Sequence, residues 1–160
     1  MRITIIAVGK MKSGPERELV DRYLSRAKAS GKNLSLQDFG VQEFTESRAS
    51  SASARKAQEA KAILAALPEN ANLIALDEIG KTQTSQKLAN MIAMQNDNGT
   101  KNLVFVIGGP DGLDQSVRAR AQLILSFSPL TWPHQIVRLL LAEQLYRTTT
   151  ILSGHPYHRP

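Results

Sequence analysis

Leu103-Val104-Phe105-Val106-Ile107, followed at once by Gly108-Gly109-Pro110-Asp111-Gly112, is the stretch on which the fold turns. The first five residues are apolar without alternation and rich in β-branched types, the pattern of a strand covered on both faces. Such a strand belongs to the interior of a parallel sheet with helices on either side. Ligands of these sheets bind beyond the carboxyl ends of the strands, which is where the glycine loop must fall. Glycines there let the backbone approach a ligand and offer main-chain donors. No Gly-Lys-Ser/Thr follows and the spacing is not G-x-G-x-x-G, so neither common phosphate-loop reading applies. The plain alternative is a tight turn, with Asp114 capping the next helix.

Outward from this point, strands and helices alternate in both directions. On the amino-terminal side, Arg2–Val8 (RITIIAV) reads as a strand ended by Gly9, and Pro15 to Ala29 as a charged amphipathic helix. Leu34, Leu36 and Phe39 mark a second, half-polar strand. The Ser/Ala-rich connector Ser47–Ala54 leads into a helix over Arg55–Leu67 that Pro68 stops. Asn72–Leu76 is a third strand with a turn after it, Ser85–Gln95 a helix, and Asn98-Gly99 a turn. Beyond the glycine loop come a short helix from Asp114, a strand over Leu123–Phe127 and a helix over His134–Thr148. The alternation predicts one α/β domain over residues 1–160, with a mostly parallel sheet flanked by helices.

Composition sets the limits on function. A hydrophobic fraction of 42% with 21% charged residues excludes wholesale disorder. The absence of cysteine excludes a disulfide framework, a thiolate metal site and a cysteine nucleophile. Lys10 and Lys12 cut the first apolar run too short for a signal segment, and no run is long enough to span a bilayer. A soluble cytoplasmic protein is expected. The net charge of +6 points to an anionic partner. Residues 1–32 carry 8 basic and 3 acidic side chains, residues 33–80 carry 4 and 7, and residues 81–160 carry 8 and 4. Basic ends around an acidic middle fit RNA phosphates, although scattered surface charge is the plain reading. With 5% aromatic residues the chain is poorly equipped for base stacking, so structured RNA read by shape fits better.

Four segments beside the glycine loop carry chemistry or its framework. Leu76-Asp77-Glu78-Ile79-Gly80-Lys81 follows an inner strand and makes an opposite wall for the same crevice, with Leu76 apolar and the two acids read as solvated. Ser126–His134 (SFSPLTWPH) is denied helix by Pro129 and Pro133, leaving amides and carbonyls free for the polar edge of a purine-like ligand. Its tryptophan, Trp132, is either part of that wall or core packing. Helix His134–Thr148 is apolar around nearly its whole circumference, which calls for cover on several sides, a second subunit among them. Within it Glu143 and Arg147 stand at i, i+4, the spacing of an ion pair. The tail Gly154–Pro160 holds His155, Tyr157, His158 and Arg159. Two histidines on an extended segment without a third ligand do not make a metal site. Folded back, the tail supplies a proton acceptor, a donor and a cation together.

Taken together, ITIIAVGK (3–10), ALDEIGK (75–81), FVIGGPDG (105–112), LSFSPLTWPHQIVRLLLAEQLYR (125–147) and HPYHR (155–159) resemble the ribosomal RNA large subunit methyltransferase H family. The resemblance covers essentially the whole chain. It implies a SPOUT-like α/β fold tied in a C-terminal trefoil knot, a homodimer, and S-adenosyl-L-methionine as cofactor without a metal. The implied activity is methylation of N3 of a pseudouridine in 23S rRNA, on the assembled ribosome. The implied cofactor contacts are Leu76, Gly108, Gly109, Phe127, Ser128, Pro129, Leu130, Thr131 and Trp132. The implied catalytic residues are Arg147, His155, Tyr157, His158 and Arg159. Thr148-Thr149-Thr150, where similar proteins often continue with Ala, and the trailing Pro160 depart from the pattern and bear on how the tail orders. A non-catalytic RNA-binding module of the same fold is the alternative, and the two prolines and glycine loop of the crevice speak against it.

Overall fold

Residues 1–159 are described in the computed structural model of the chain. Five strands, β1 (Arg2–Val8), β2 (Gln37–Phe44), β3 (Asn72–Thr82), β4 (Asn102–Ile107) and β5 (Leu123–Ser126), form one sheet in the order β2-β1-β4-β3-β5. All four pairings are parallel. As its composition requires, β4 lies at the centre, with Leu103 to Ile107 all buried.

Helices α1 (Pro15–Gly31), α2 (Ala52–Ala66), α3 (Ser85–Asp97), α4 (Gln115–Arg120) and α5 (His134–Leu152) connect and follow the strands. The period of two in the strands divides their side chains between two cores. Ile3, Ile5, Ile74 and Phe105 meet Leu24 of α1, Ile92 of α3 and Leu141 of α5. On the other face, Ile6, Val8, Val104 and Val106 meet Ile63 of α2 and Val117 of α4. Side-chain caps set three helix starts: Ser51 accepts from the Ala54 N–H, Thr84 from Lys87 and Asp114 from Ser116. Among the described residues no helix is long and apolar enough to cross a membrane.

Three elements depart from the pattern reading. Residues 32–34 form a 3₁₀ turn, Ser35 adopts a left-handed φ of 56°, and β2 begins only at Gln37. An edge strand with one lightly buried face needs no apolar alternation, so β2 leaves little periodic signal. Helix α2 starts inside the Ser/Ala-rich connector, at its Ser51 cap. The polar run after Leu76 is not a turn closing the strand, because β3 continues to Thr82. Its pairing with β4 ends at Leu76, but Lys81 and Thr82 rejoin Leu125 and Ser126 of β5 across an irregularity. Helix α5 lies between α1 and α3, and buries Arg138, Leu141, Ala142, Leu145 and Thr148 to Thr150. The departing threonines are thus helical core rather than tail. Thr149 bonds Ser30 of α1 at 2.6 Å, whereas the buried Thr148 hydroxyl has no partner among the described residues. Pro160 lies outside the described residues.

Candidate active site

The carboxyl ends of β4, β3 and β5 enclose a crevice of about 390 Å³. Leu76, Ile107, Leu125 and Phe127 give it apolar walls, and the Gly108–Gly112 and Ser126–Thr131 segments give it backbone polar groups. Gly108 is required by close approach: a Cβ there would lie 2.9 Å from the Gly112 carbonyl carbon. The Gly112 N–H closes the turn on the Gly109 carbonyl at 2.9 Å. In the proline-rich loop, the Ser126 and Ser128 hydroxyls accept from the Ser128 and Leu130 amides. These side chains replace the ladder that the prolines forbid.

Three carboxylates border the crevice, and two of them are anchored. Asp77 pairs with Arg118 of α4 at 3.1 Å and accepts from the Ile79 N–H, so it is not the merely solvated acid its turn-like sequence implied. Asp111 holds Arg55 of α2 in a bidentate pair at 2.6 and 3.0 Å, and this bond keeps its carboxyl below the usual range. Glu78 accepts from the Thr131 hydroxyl at 3.2 Å. A cleft with apolar walls, free backbone groups and an acidic rim fits a nucleoside that bears a cationic sulfonium and an ammonium group.

The tail folds back on α5. Tyr157 donates to Glu143 Oε1 at 3.0 Å, and Arg147 donates to the same oxygen from Nε at 2.9 Å. The Arg147 guanidinium stacks 4.9 Å from the Tyr157 ring centroid and reaches His158 Nδ1 at 3.4 Å. Arginine has only donors, so this contact requires the neutral His158 ring with Nδ1 as acceptor. Burial, then hydrogen bonds with Tyr23 and Glu143, push the Tyr157 phenol far above its ordinary pKa. Tyr157 is therefore a donor, never a phenolate, near neutral pH. Among the described residues His155 accepts only from the Tyr157 amide; it is exposed, as is Arg159.

A family model described as "Predicted SPOUT methyltransferase" matches residues 1–158. A ribosomal RNA large subunit methyltransferase H of Brucella anthropi is 54% identical over 99% of both chains, and one of Allorhizobium ampelinum 52% over the same shares. The chain belongs to the ribosomal RNA large subunit methyltransferase H family of SPOUT methyltransferases. A probable methyltransferase from Bordetella pertussis shares the fold, with a TM-score of 0.51 over 92% of this chain and 95% of its own, at 14% identity.

Of the residues that the family resemblance nominates for the cofactor, Leu76, Gly108, Gly109, Phe127, Ser128, Leu130, Thr131 and Trp132 line the crevice. Pro129 does not. Trp132 is 41% exposed at the rim rather than packed in the core. Arg147, Tyr157 and His158 come together around Glu143, while His155 and Arg159 stand outside that cluster. His134, the last residue of the proline-rich segment, also lines the crevice at the start of α5, whereas the anchoring partners Arg55 and Arg118 were not foreseen from the sequence. Their only local signal was a basic residue on a helix face, which is indistinguishable from surface charge.

Proposed function

We propose that this chain is an S-adenosylmethionine-dependent methyltransferase of large-subunit ribosomal RNA, acting at N3 of a pseudouridine on the assembled ribosome in the cytoplasm. The observation that carries the reading is the crevice, whose walls come from the three segments that the family resemblance nominates. Full-length relatives named for large-subunit rRNA methylation supply the substrate class. In this reading residues 1–160 work as one domain whose segment from β3 to α5 is knotted.

The working unit is a homodimer. The helical rise places Arg147 about 15 Å along α5 from Val137, which lines the crevice. The tail cluster and the crevice of one chain are therefore at opposite parts of the same helix. A second chain brings one to the other.

Bound in the crevice, S-adenosylmethionine supplies an electrophilic methyl group. The residues of this chain hold the acceptor in line and remove its proton, since N3 is a poor nucleophile until it is deprotonated. Arg147 and Arg159 stabilise the oxygen that gains negative charge. The incoming base displaces Glu143 as the acceptor of the Tyr157 hydroxyl, and His158 or His155 takes the proton on an Nδ1 released from Arg147 or from the Tyr157 amide.

Purified protein, labelled methyl donor and ribosomes lacking the modification test this directly. Mass mapping should find the label on one pseudouridine of the large-subunit rRNA, and label at any other site or none would overturn the assignment. A chain ending after Gly154 should bind S-adenosylmethionine normally and transfer no methyl; a normal rate would remove the tail from the mechanism.

A further inference from the structure

We propose that a second pocket, at the carboxyl ends of β1 and β2, seats a backbone phosphate of the RNA strand that carries the target base. The inference rests on the function proposed above and names how the substrate is held. The pocket encloses about 290 Å³ between Gly9-Lys10 on one side and Thr45 to Arg48 on the other. Both sides are fixed before any ligand arrives. The Ser47 amide donates to Glu59 at 2.9 Å, the Ser47 hydroxyl to Gln58 at 2.6 Å, and Arg55 to the Ala49 carbonyl at 3.1 Å. Opposite, the Met11 amide donates to Glu43, and Arg17 donates to the Met11 carbonyl at 2.6 Å.

Charge makes this pocket a phosphate seat. Lys10 and Arg48 line it and are exposed, Lys12 is exposed two residues further on, and among the described residues none of them has a carboxylate partner. Underneath, Arg17 and the fully buried Arg138 share one carboxylate, Glu43, which leaves a fixed positive excess. Arg138 donates to the Gly9 carbonyl at 2.7 Å, and its buried Nε has no partner among the described residues. Glu46 is the opposing acid in the pocket, and it faces His134 at 3.9 Å. Five cations thus stand against three carboxylates, Glu43, Glu46 and the Glu59 that holds the Ser47 amide. The neighbouring crevice lacks this excess: of Asp77, Glu78 and Asp111 on its rim, two are paired with Arg118 and Arg55, which leaves one acid over.

Position completes the argument. His134 lines the crevice and also rests against Gly9 and Glu46, so one side chain separates the two sites. A phosphate held by Lys10 and Arg48 therefore delivers the adjoining nucleotide to the mouth of the crevice. Phosphate contacts position a nucleic acid without reading its sequence, which is the task left open by an acidic cofactor site.

The test compares Lys10→Ala/Arg48→Ala with Lys61→Ala/Lys101→Ala, a pair of exposed lysines away from the pocket that removes the same net charge. Binding to large ribosomal subunits is titrated across salt, with methyl transfer and calorimetry of S-adenosylmethionine alongside. For the pocket pair, the slope of log affinity against log salt should fall by about 0.7–0.9, the loss of one phosphate contact. KM for the subunits should rise severalfold, with kcat and cofactor affinity unchanged. Equal slopes and KM values for the two pairs would overturn the proposal. Wild-type protein that binds the subunits but transfers no methyl would instead refute the proposed reaction, and the salt slopes would still decide the pocket.

Discussion

Glu43 stands between Arg17 and Arg138, and its carboxylate also accepts the Met11 N–H. Burial pushes its pKa up, but the amide bond and the two guanidinium groups outweigh burial and bring it below the ordinary carboxylate value. Its stabilising contribution is therefore complete above an unfolded pKa of about 4.3 and is lost as pH falls through the depressed folded value. Burial lowers the Arg138 pKa, and Glu43 offsets that effect. Glu43→Ala leaves a buried guanidinium uncompensated and should cost about 3–5 kcal/mol in urea unfolding. The variant should also lose the part of the acid dependence that Glu43 supplies; a loss under about 1 kcal/mol would show that water or another group satisfies Arg138. Arg55 tests a different residue-scale effect. Arg55→Lys keeps the charge but not the bidentate pair with Asp111, so cofactor affinity by calorimetry should weaken severalfold with the melting temperature little changed. None of these pairings was legible in the sequence. Arg138 and Glu43 are 95 residues apart, and Arg55 and Asp111 are 56 apart. What could be read locally was the contact made by neighbours on one helix, Glu143 with Arg147.

Among the elements, legibility followed burial. β4 and β1 announced themselves because both their faces are covered, and α4 because Asp114 caps it. β2 was legible only in part, as a half-polar strand with shifted bounds, and the far half of β3 was not, since each has neighbours on one side only and tolerates polar residues. That far half of β3 matters for the site, because Asp77 to Ile79 bulge into the crevice wall while Gly80 presses on β5. A Cβ on Gly80 would meet the Ile124 carbonyl carbon and oxygen at 2.7 Å, which is backbone that cannot swing aside. Gly80→Ala should therefore part β3 from β5, costing about 1–3 kcal/mol and lowering cofactor affinity. Gly40→Ala in β2 is the matched control. Its nearest neighbour would be 3.5 Å away, so the effect should stay within about 0.5 kcal/mol. Equal melting temperatures for the two variants would mean that the β3–β5 contact yields without cost.

At the scale of the whole molecule, α5 separates the tail cluster from the crevice, and the surfaces left uncovered lie beside both. Ile136 and Leu140 on α5 are half-buried and belong to neither core, while Ile79, Leu130 and Trp132 are exposed around the crevice. The apolar circumference of α5 raised the expectation of a second chain, and no periodicity tells which end of a helix would meet which site across an interface. If each active site combines the crevice of one protomer with the tail of its partner, damage to the two parts should complement. One chain would carry Gly108→Val, whose side chain collides with the Gly112 backbone, and the other would end after Gly154. Each homodimer should be inactive. Hybrids isolated through two different tags hold one intact crevice facing one intact tail, so they should recover roughly half the wild-type rate. A site built within single chains predicts no recovery, because each protomer of the hybrid is broken in one part. Sedimentation of the same hybrids establishes that both chains are present in the active species, and an active monomer would refute shared assembly outright.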